Sequence, residues 1–374
     1  MMGVTRLNGA TLENDPFARV RDQAPRGLDA VMEDPEEQAR YETILGPLFG
    51  PLADPTTTAL RVMADGRIVQ TRYGYPKRVL AETMEEQRRR TLIYYMANFE
   101  HGRAMDRLHS RLQCDLPIFG SRVQAFAPPI SDWTLVFRNH AASVIPFNTY
   151  FSDEPHVRTS DTWADHPHRV RKGWAEAIVE AITLHKNIPI GGSVDSGKTT
   201  FLNSTLAKHA EIYPDERMVV VQDRREVRCD GFVDTIELLA RVEQAHHEAN
   251  GSVVRYVYEF ADALEDAMRC DGDSITWGEV RDSRSAVGLV MAMNTGSRGC
   301  KFTTHANSAE DVPQRLEDFH TLIDHKPVKR MIARACELIV FLERDNATMR
   351  RRIVDVVRVL DATEDGYRFE RVAP

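Results

Sequence analysis

The sequence predicts an α/β protein in two parts, a carboxy-terminal domain built on a parallel sheet and a smaller amino-terminal domain of α+β type. Three observations predict it. From Gly173 onward, helical stretches alternate with the short apolar runs VVVQD, SITWGEV, CKFTTHA and ELIVFLE, an order that implies parallel strands joined by crossover helices. One strand-to-helix junction carries GGSVDSGKTT, residues 191–200, with the spacing G-x-x-x-x-G-K-T. The 374 residues also exceed what one core comfortably organises, so two domains are the default.

Residues 1–40 are rich in charge, Pro and Gly and read as a flexible extension. The amino-terminal domain then occupies residues 41–150. In ALRVMADGRIVQTRYG, apolar and polar residues alternate on both sides of Asp65-Gly66, which signals a hairpin. AETMEEQRRRTLIYYMANF follows, with Met84, Leu92, Tyr95 and Met96 at helical spacing. SRVQAFAPPI and WTLVFRNH read as two strands around a Pro128-Pro129 turn. Residues 151–172 are polar and interrupted by proline, the composition of a linker. His166 and His168 lie in it without the cysteines or carboxylates that would complete a metal ligand set. The domain over 173–374 closes with RRRIVDVVRVLDATEDGYRFERV, which alternates around Glu364-Asp365-Gly366 as a terminal antiparallel hairpin does.

Composition narrows the class. A formal charge of -8 gives no reason to expect wrapping of a nucleic acid backbone, and no sequence-specific nucleic acid binding is expected. No apolar run reaches the roughly 18 residues a membrane-spanning helix requires, and the first residues carry charge throughout. Five cysteines without a C-x-x-C pair suit a reducing cytosol. A cytoplasmic protein is expected, held at any membrane by partners.

The glycine-bearing junction has a definite chemistry. Backbone N–H groups of Gly192, Ser193, Val194, Asp195, Ser196 and Gly197 can turn inward onto phosphate oxygens, where a Cβ at the glycines would obstruct. Lys198 reaches the β- and γ-phosphates as a mobile charge, the Thr199 hydroxyl can ligate Mg²⁺, and the helix running through Thr200 turns its positive end to the anion. Asp195 is unusual here; its carboxylate is expected to point to solvent and to weaken ATP binding modestly. Pro189 argues against the preceding NIPIGG as a central strand. Hydrolysis needs carboxylates to activate water and support a metal shell. Candidates end the later apolar runs: Gln222, Asp223 and Glu226; then Glu279 and Arg281; then Thr304, His305 and Asn307. In such sheets ligands sit at the carboxyl ends of strands.

The loop, QDRREV, SITWGEVRD and TTHANSAEDVPQRLE together resemble the secretion ATPase superfamily of type IV secretion, type II secretion and type IV pili, and within it the VirB11/TrbB branch of conjugative transfer. GEVRD…AVGLVMAMNTGSRGCKFTTHANSAED is the branch's own pattern, and the resemblance covers about residues 45 to 372. It implies a RecA-like P-loop carboxy-terminal domain. Lys198 and Thr199 would be the Walker A lysine and metal-site threonine, Glu226 the catalytic glutamate, Glu279 the Walker B glutamate supporting Mg²⁺ indirectly, and His305 the histidine-box residue. Arg122 and Arg138 would be arginines that the amino-terminal domain extends to the nucleotide. The resemblance further implies a homohexamer, peripheral on the cytoplasmic face of the inner membrane, that works with other type IV secretion ATPases and inner-membrane channel components. Three departures stand out: Gln222 for an acid, Asp195 for a loop glycine, and SVDSGKTT for T-G-S-G-K-T-T. The rivals are a pilus retraction or type II secretion motor, a DNA helicase or translocase, and a nucleotide-dependent scaffold that does not hydrolyse.

Overall fold

A computed structural model describes residues 34–54, 56–72, 75–99, 110–119, 121–139, 144–151, 172–240, 242–247, 253–345 and 351–374. These fall into two compact units that divide between residues 139 and 144. Most of the expected extension and nearly all of the expected linker, with His166 and His168, lie outside the described residues.

The first unit opens with α1 (Pro35–Leu45), capped by the Asp34 carboxylate, which accepts from Glu36 and Glu37 N–H. Helix α2 (Phe49–Ala53) precedes β1 (Thr57–Val62), β2 (Arg67–Arg72) and β3 (Tyr75–Thr83). Helix α3 (Glu86–Phe99) leads to β4 (Arg111–Leu116), β5 (Ser121–Phe126) and β6 (Thr134–Asn139). All six strands form one antiparallel sheet in the order β3-β2-β1-β6-β5-β4. The Asp65-Gly66 hairpin is present between β1 and β2. The helix starts later than its spacing suggests, because residues 81–83 still belong to β3. Alternate strand residues such as Leu60, Val62, Val123, Ala125, Leu135 and Phe137 are buried with Leu92, Ile93 and Met96 of α3. This is the one-faced antiparallel pattern.

The second unit is layered. In chain order it contains α4 (Lys172–Thr183), β7 (Ile188–Gly192), α5 (Lys198–Ile212), β8 (Arg217–Gln222), β9 (Asp234–Leu239), β10 (Val242–His247) and β11 (Val253–Tyr258). Next come α6 (Phe260–Ala267), β12 (Ser274–Val280), α7 (Ser283–Ala292), β13 (Lys301–His305) and α8 (Asp311–Thr321). The unit ends with α9 (Lys329–Ala335), β14 (Leu338–Arg344), β15 (Arg351–Thr363) and β16 (Gly366–Arg371). Strands β10 and β11 form a separate hairpin, and the other eight make one sheet in the order β16-β15-β14-β7-β13-β12-β8-β9. From β14 to β9 every neighbour is parallel; β15 and β16 extend the edge antiparallel, as the terminal hairpin predicted.

Strict alternation explains the layers. On β8, Val219 and Val221 join the core under α6, α7, α8 and α9, whereas Met218 and Val220 join the core under α4 and α5. On β14, Ile339 and Phe341 face the first layer, and Leu338, Val340 and Leu342 face the second. A strand covered on both sides must be apolar at every position, which is why these runs read as unbroken hydrophobic stretches.

Pro189 does not prevent β7 from being central. Ile188 N–H bonds to Cys300 O at 2.8 Å, so residues 188 and 190 face β13 and Pro189 faces β14. On the β14 side, Leu338 N–H bonds to Asn187 O at 3.1 Å and the pairing continues with Val340 opposite Ile190, so the missing donor removes one rung and leaves the bonds around it in place.

Phe201 of α5 is fully buried, with Tyr150 edge-on at 4.8 Å and Phe147 and Phe151 at 6.3 and 6.5 Å. Truncating such a side chain removes its transfer energy and leaves a cavity. Phe201→Ala should cost about 3–5 kcal/mol, read as a lower guanidinium unfolding midpoint.

Candidate functional site

β7 delivers Gly192 to the carboxyl end of the sheet, and α5 starts again at Lys198. A Cβ on Gly192 would lie 2.4 Å from Leu342 O and 2.6 Å from Ser196 Oγ, so only glycine fits. Gly197, at φ 91°, sits in the left-handed region immediately before the helix. Between them, the Ser196 hydroxyl is buried without a hydrogen-bond partner. A buried polar atom of this kind calls for a ligand, and its place in the loop fits a phosphate oxygen. The buried Lys198 ammonium donates to Gly192 O at 3.2 Å and Ser193 O at 2.9 Å. Thr199 and Thr200 are half-buried in the first turn.

From Lys198 a chain of polar contacts runs across the strand ends. Lys198 Nζ lies 3.2 Å from His305 Nδ1, and His305 Nε2 lies 2.9 Å from Glu279 Oε1. One tautomer satisfies both: Nδ1 accepts from the ammonium and Nε2–H donates to the carboxylate. Arg281 continues the chain, with Nε 3.8 Å from Glu279 and Nη2 hydrogen-bonded to Asp223. Register explains the meeting, because His305 pairs with Gly192 across β13–β7 and Thr304 with Val280 across β13–β12. Burial pushes the Glu279 carboxyl upward, but the His305 hydrogen bond and the charges of Arg281 and Lys198 prevail and lower it to about 2. Glu279 is therefore a carboxylate at any physiological pH.

Not every sequence candidate joins this group. Thr304 is buried with its hydroxyl on Val280 O, and Asn307 donates to Asp311 at the start of α8. Arg122 and Arg138 stand directly opposite each other on β5 and β6 of the first unit.

Asp195 behaves differently from expectation. Its carboxylate does not run free into solvent. Oδ2 accepts from Arg344 Nη1 at 2.5 Å and Oδ1 from Arg351 Nη2 at 2.6 Å, while Arg351 Nε donates to Asp195 O at 2.8 Å. These guanidiniums come from the two strands of the β14–β15 hairpin. Asp195 adopts φ 62°, a left-handed conformation that Asp tolerates. Two guanidiniums held against the carboxylate oppose the repulsion first expected between Asp195 and phosphate. Without the fold, nothing linked Asp195 to arginines some 150 residues on.

Gln222 also has a physical account. Its buried side-chain carbonyl accepts from Glu226 N–H at 2.9 Å and Val227 N–H at 2.8 Å, and its amide donates to Glu237 Oε1 at 2.7 Å. A glutamate could take the first two bonds but would face Glu237 as a second anion. Asn203 of α5 adds a further brace, donating to Glu226 O at 2.9 Å and accepting from Arg228 N–H at 3.0 Å. The turn that carries Glu226 is thus tied to the helix that carries Lys198.

The family described as type II/IV secretion system protein matches residues 173–361. The chain belongs to this family. It is an ATPase, an activity that the phosphate loop and its partner carboxylate suit. The conjugal transfer protein TrbB of Rhizobium radiobacter is 29% identical over 323 residues, 86% of this chain and 90% of that protein. The type IV secretion system protein PtlH of Bordetella pertussis is 27% identical over 259 residues, 63% of this chain and 71% of its own length. Among solved structures, the Legionella pneumophila ATPase DotB shares the fold, with a TM-score of 0.53 at 16% identity over 86% of this chain and 81% of that one. Among the described residues of this secretion ATPase, no helix is long and apolar enough to cross a membrane.

Two outcomes follow from the clamp and the turn. Replacing both Arg344 and Arg351 with alanine takes these two guanidiniums away from Asp195 beside the loop and should weaken binding of a fluorescent ATP analogue by about tenfold, roughly 1.4 kcal/mol. Adding Asp195→Asn to that variant should restore most of the affinity. Gln222→Glu should lower stability by about 1–3 kcal/mol in thermal unfolding and should not accelerate turnover.

Proposed function

We propose that the chain works as a homohexameric ring at the cytoplasmic face of the inner membrane, where ATP hydrolysis powers type IV secretion, conjugative DNA transfer or pilus biogenesis. The observation that carries the reading is the contact chain from Lys198 through His305 to an ionised Glu279. Similarity to a conjugal transfer protein along 86% of this chain favours conjugation over pilus retraction. Other secretion ATPases and inner-membrane channel components are the partners proposed.

Mg²⁺ with ATP suits the residues present: the Thr199 hydroxyl would hold the ion directly, and the Glu279 carboxylate through its shell. Bound there, the ion would neutralise charge on the phosphates. Around it, this chain's own groups divide the work. Loop amides from Gly192 to Gly197 cradle the phosphates, Lys198 leaves the loop carbonyls for the phosphate oxygens, and Ser196 gains the partner it lacks. His305 senses the change, since it links Lys198 to Glu279. Glu226 accepts the proton of the attacking water. Arg122 and Arg138 are proposed as further nucleotide ligands. A scaffold that binds without hydrolysing loses its motive, because Gln222 and Asp195 are each matched by partners.

Phosphate release by purified protein tests this reading. Lys198→Ala should abolish it. Glu226→Gln and Glu279→Gln should still bind nucleotide and lose turnover by about a hundredfold or more. Wild-type release no greater than that of Lys198→Ala would refute hydrolysis, and a particle size unchanged from monomer in ATP would refute the ring.

A further inference from the structure

A second polar cluster lies at the opposite ends of the same elements. Helix α5 begins with Lys198 and carries His209 in its last turn, about 17 Å along the axis. Strand β13 ends at His305 and begins with Lys301. There, His185 and His209 converge on one carboxylate, Glu216, and the donor atoms of all three lie within 4.8 Å of one another. His185 Nε2 is 2.5 Å from Glu216 Oε1, and His209 Nε2 is 2.9 Å from Glu216 Oε2.

We propose that His185, His209 and Glu216 form a binding site for a zinc-class divalent ion. Two imidazoles and a carboxylate suit a borderline metal such as Zn²⁺, rather than the all-oxygen preference of Mg²⁺. The decisive detail is alignment. His209 is fully buried, and its Nε2 and Glu216 Oε2 make no hydrogen bond although they lie 2.9 Å apart. A simple ion pair would aim the N–H at the oxygen. Two donors that approach off-axis are arranged as ligands of a shared third atom are.

The surroundings support a neutral, oriented imidazole. Burial lowers His209 to about 2, with help from the charges of Lys301 and His185. Lys301, fully buried, places Nζ 2.8 Å from His209 Nδ1 and 2.8 Å from Gly299 O. The Lys301 contact at Nδ1 fixes the orientation of the His209 ring and leaves Nε2 as the nitrogen turned toward Glu216. Tyr213 packs at 4.7 Å on the His185 ring and Phe232 at 5.3 Å on the His209 ring, walling the site. At Zn–N and Zn–O distances of about 2.0–2.2 Å, the donors settle roughly 3.4 Å apart, a small adjustment from the present cluster. The ion would tie the turn after α4, the end of α5 and the approach to β8.

The test is metal binding by the full chain after chelator treatment, in buffer free of nucleotide and magnesium, with Zn²⁺ in competition with a chromophoric indicator. One equivalent should bind, and His185→Ala and Glu216→Gln should each weaken it by at least about tenfold. Co²⁺ in place of zinc should give visible absorption that His185→Ala removes. His185 and Glu216 are the positions varied because they are only partly buried, so folding can be checked by melting without metal. Failure of the wild type to bind an equivalent of Zn²⁺, or equal affinity in both variants, would overturn the proposal.

Discussion

A buried ammonium group has to be answered by nearby negative or dipolar groups, and Lys198 imposes that demand on the whole carboxy-terminal unit. It sits at the first position of α5, where the helix's own positive end adds to its charge. Two loop carbonyls accept hydrogen bonds from it, and His305 Nδ1 accepts another and passes the influence to Glu279. Everything needed for this lies at the carboxyl ends of three adjacent strands, so the register of β7, β13 and β12 is a condition of the site and not only of the sheet. A triphosphate would relieve the same demand more fully, since it offers the lysine and the loop amides the charge they lack.

Helix α5 then connects regions that look separate in the chain. Its start forms the loop, Asn203 braces the turn of Glu226, Phe201 anchors the buried aromatic group, and His209 reaches the distal cluster. Ser204 donates to Ile145 O at 2.6 Å, joining the segment before α4 to the same helix. A rigid-body shift of α5 would therefore be felt at each of these places. An ATPase that does mechanical work needs an element of this kind, because a local charge change must become a displacement.

Much of this was legible in the sequence. Alternating helices and apolar runs gave the layered sheet, and the spacing of GGSVDSGKTT located the loop at a strand–helix junction. Glu279 and His305 were identified from their places after apolar runs, and they meet. Other features were hidden because they depend on lateral strand order. β9 supplies Glu237 beside Gln222, and the β14–β15 hairpin supplies Arg344 and Arg351 beside Asp195. Neither neighbour is close in sequence. The distal cluster escaped notice for the same reason: His185, His209, Glu216 and Lys301 come from four segments with no ligand spacing among them. Pro189 misled because a proline removes only one rung, on the β14 side, and the bonds on either side of it keep β7 paired with both neighbours.

The two residues that looked like defects share a physical logic. Asp195 alone would add a charge that repels phosphate, and Gln222 alone would subtract an acid from the site. In the fold each is matched by its neighbours: the aspartate orders two arginines over the loop, and the glutamine donates to Glu237 while its carbonyl accepts two N–H groups of the turn. The electrostatic effect of such a residue has the sign of its pair and not of its own side chain. A site read one residue at a time therefore errs most where charges are compensated, and compensation is densest around a loop that must attract an anion.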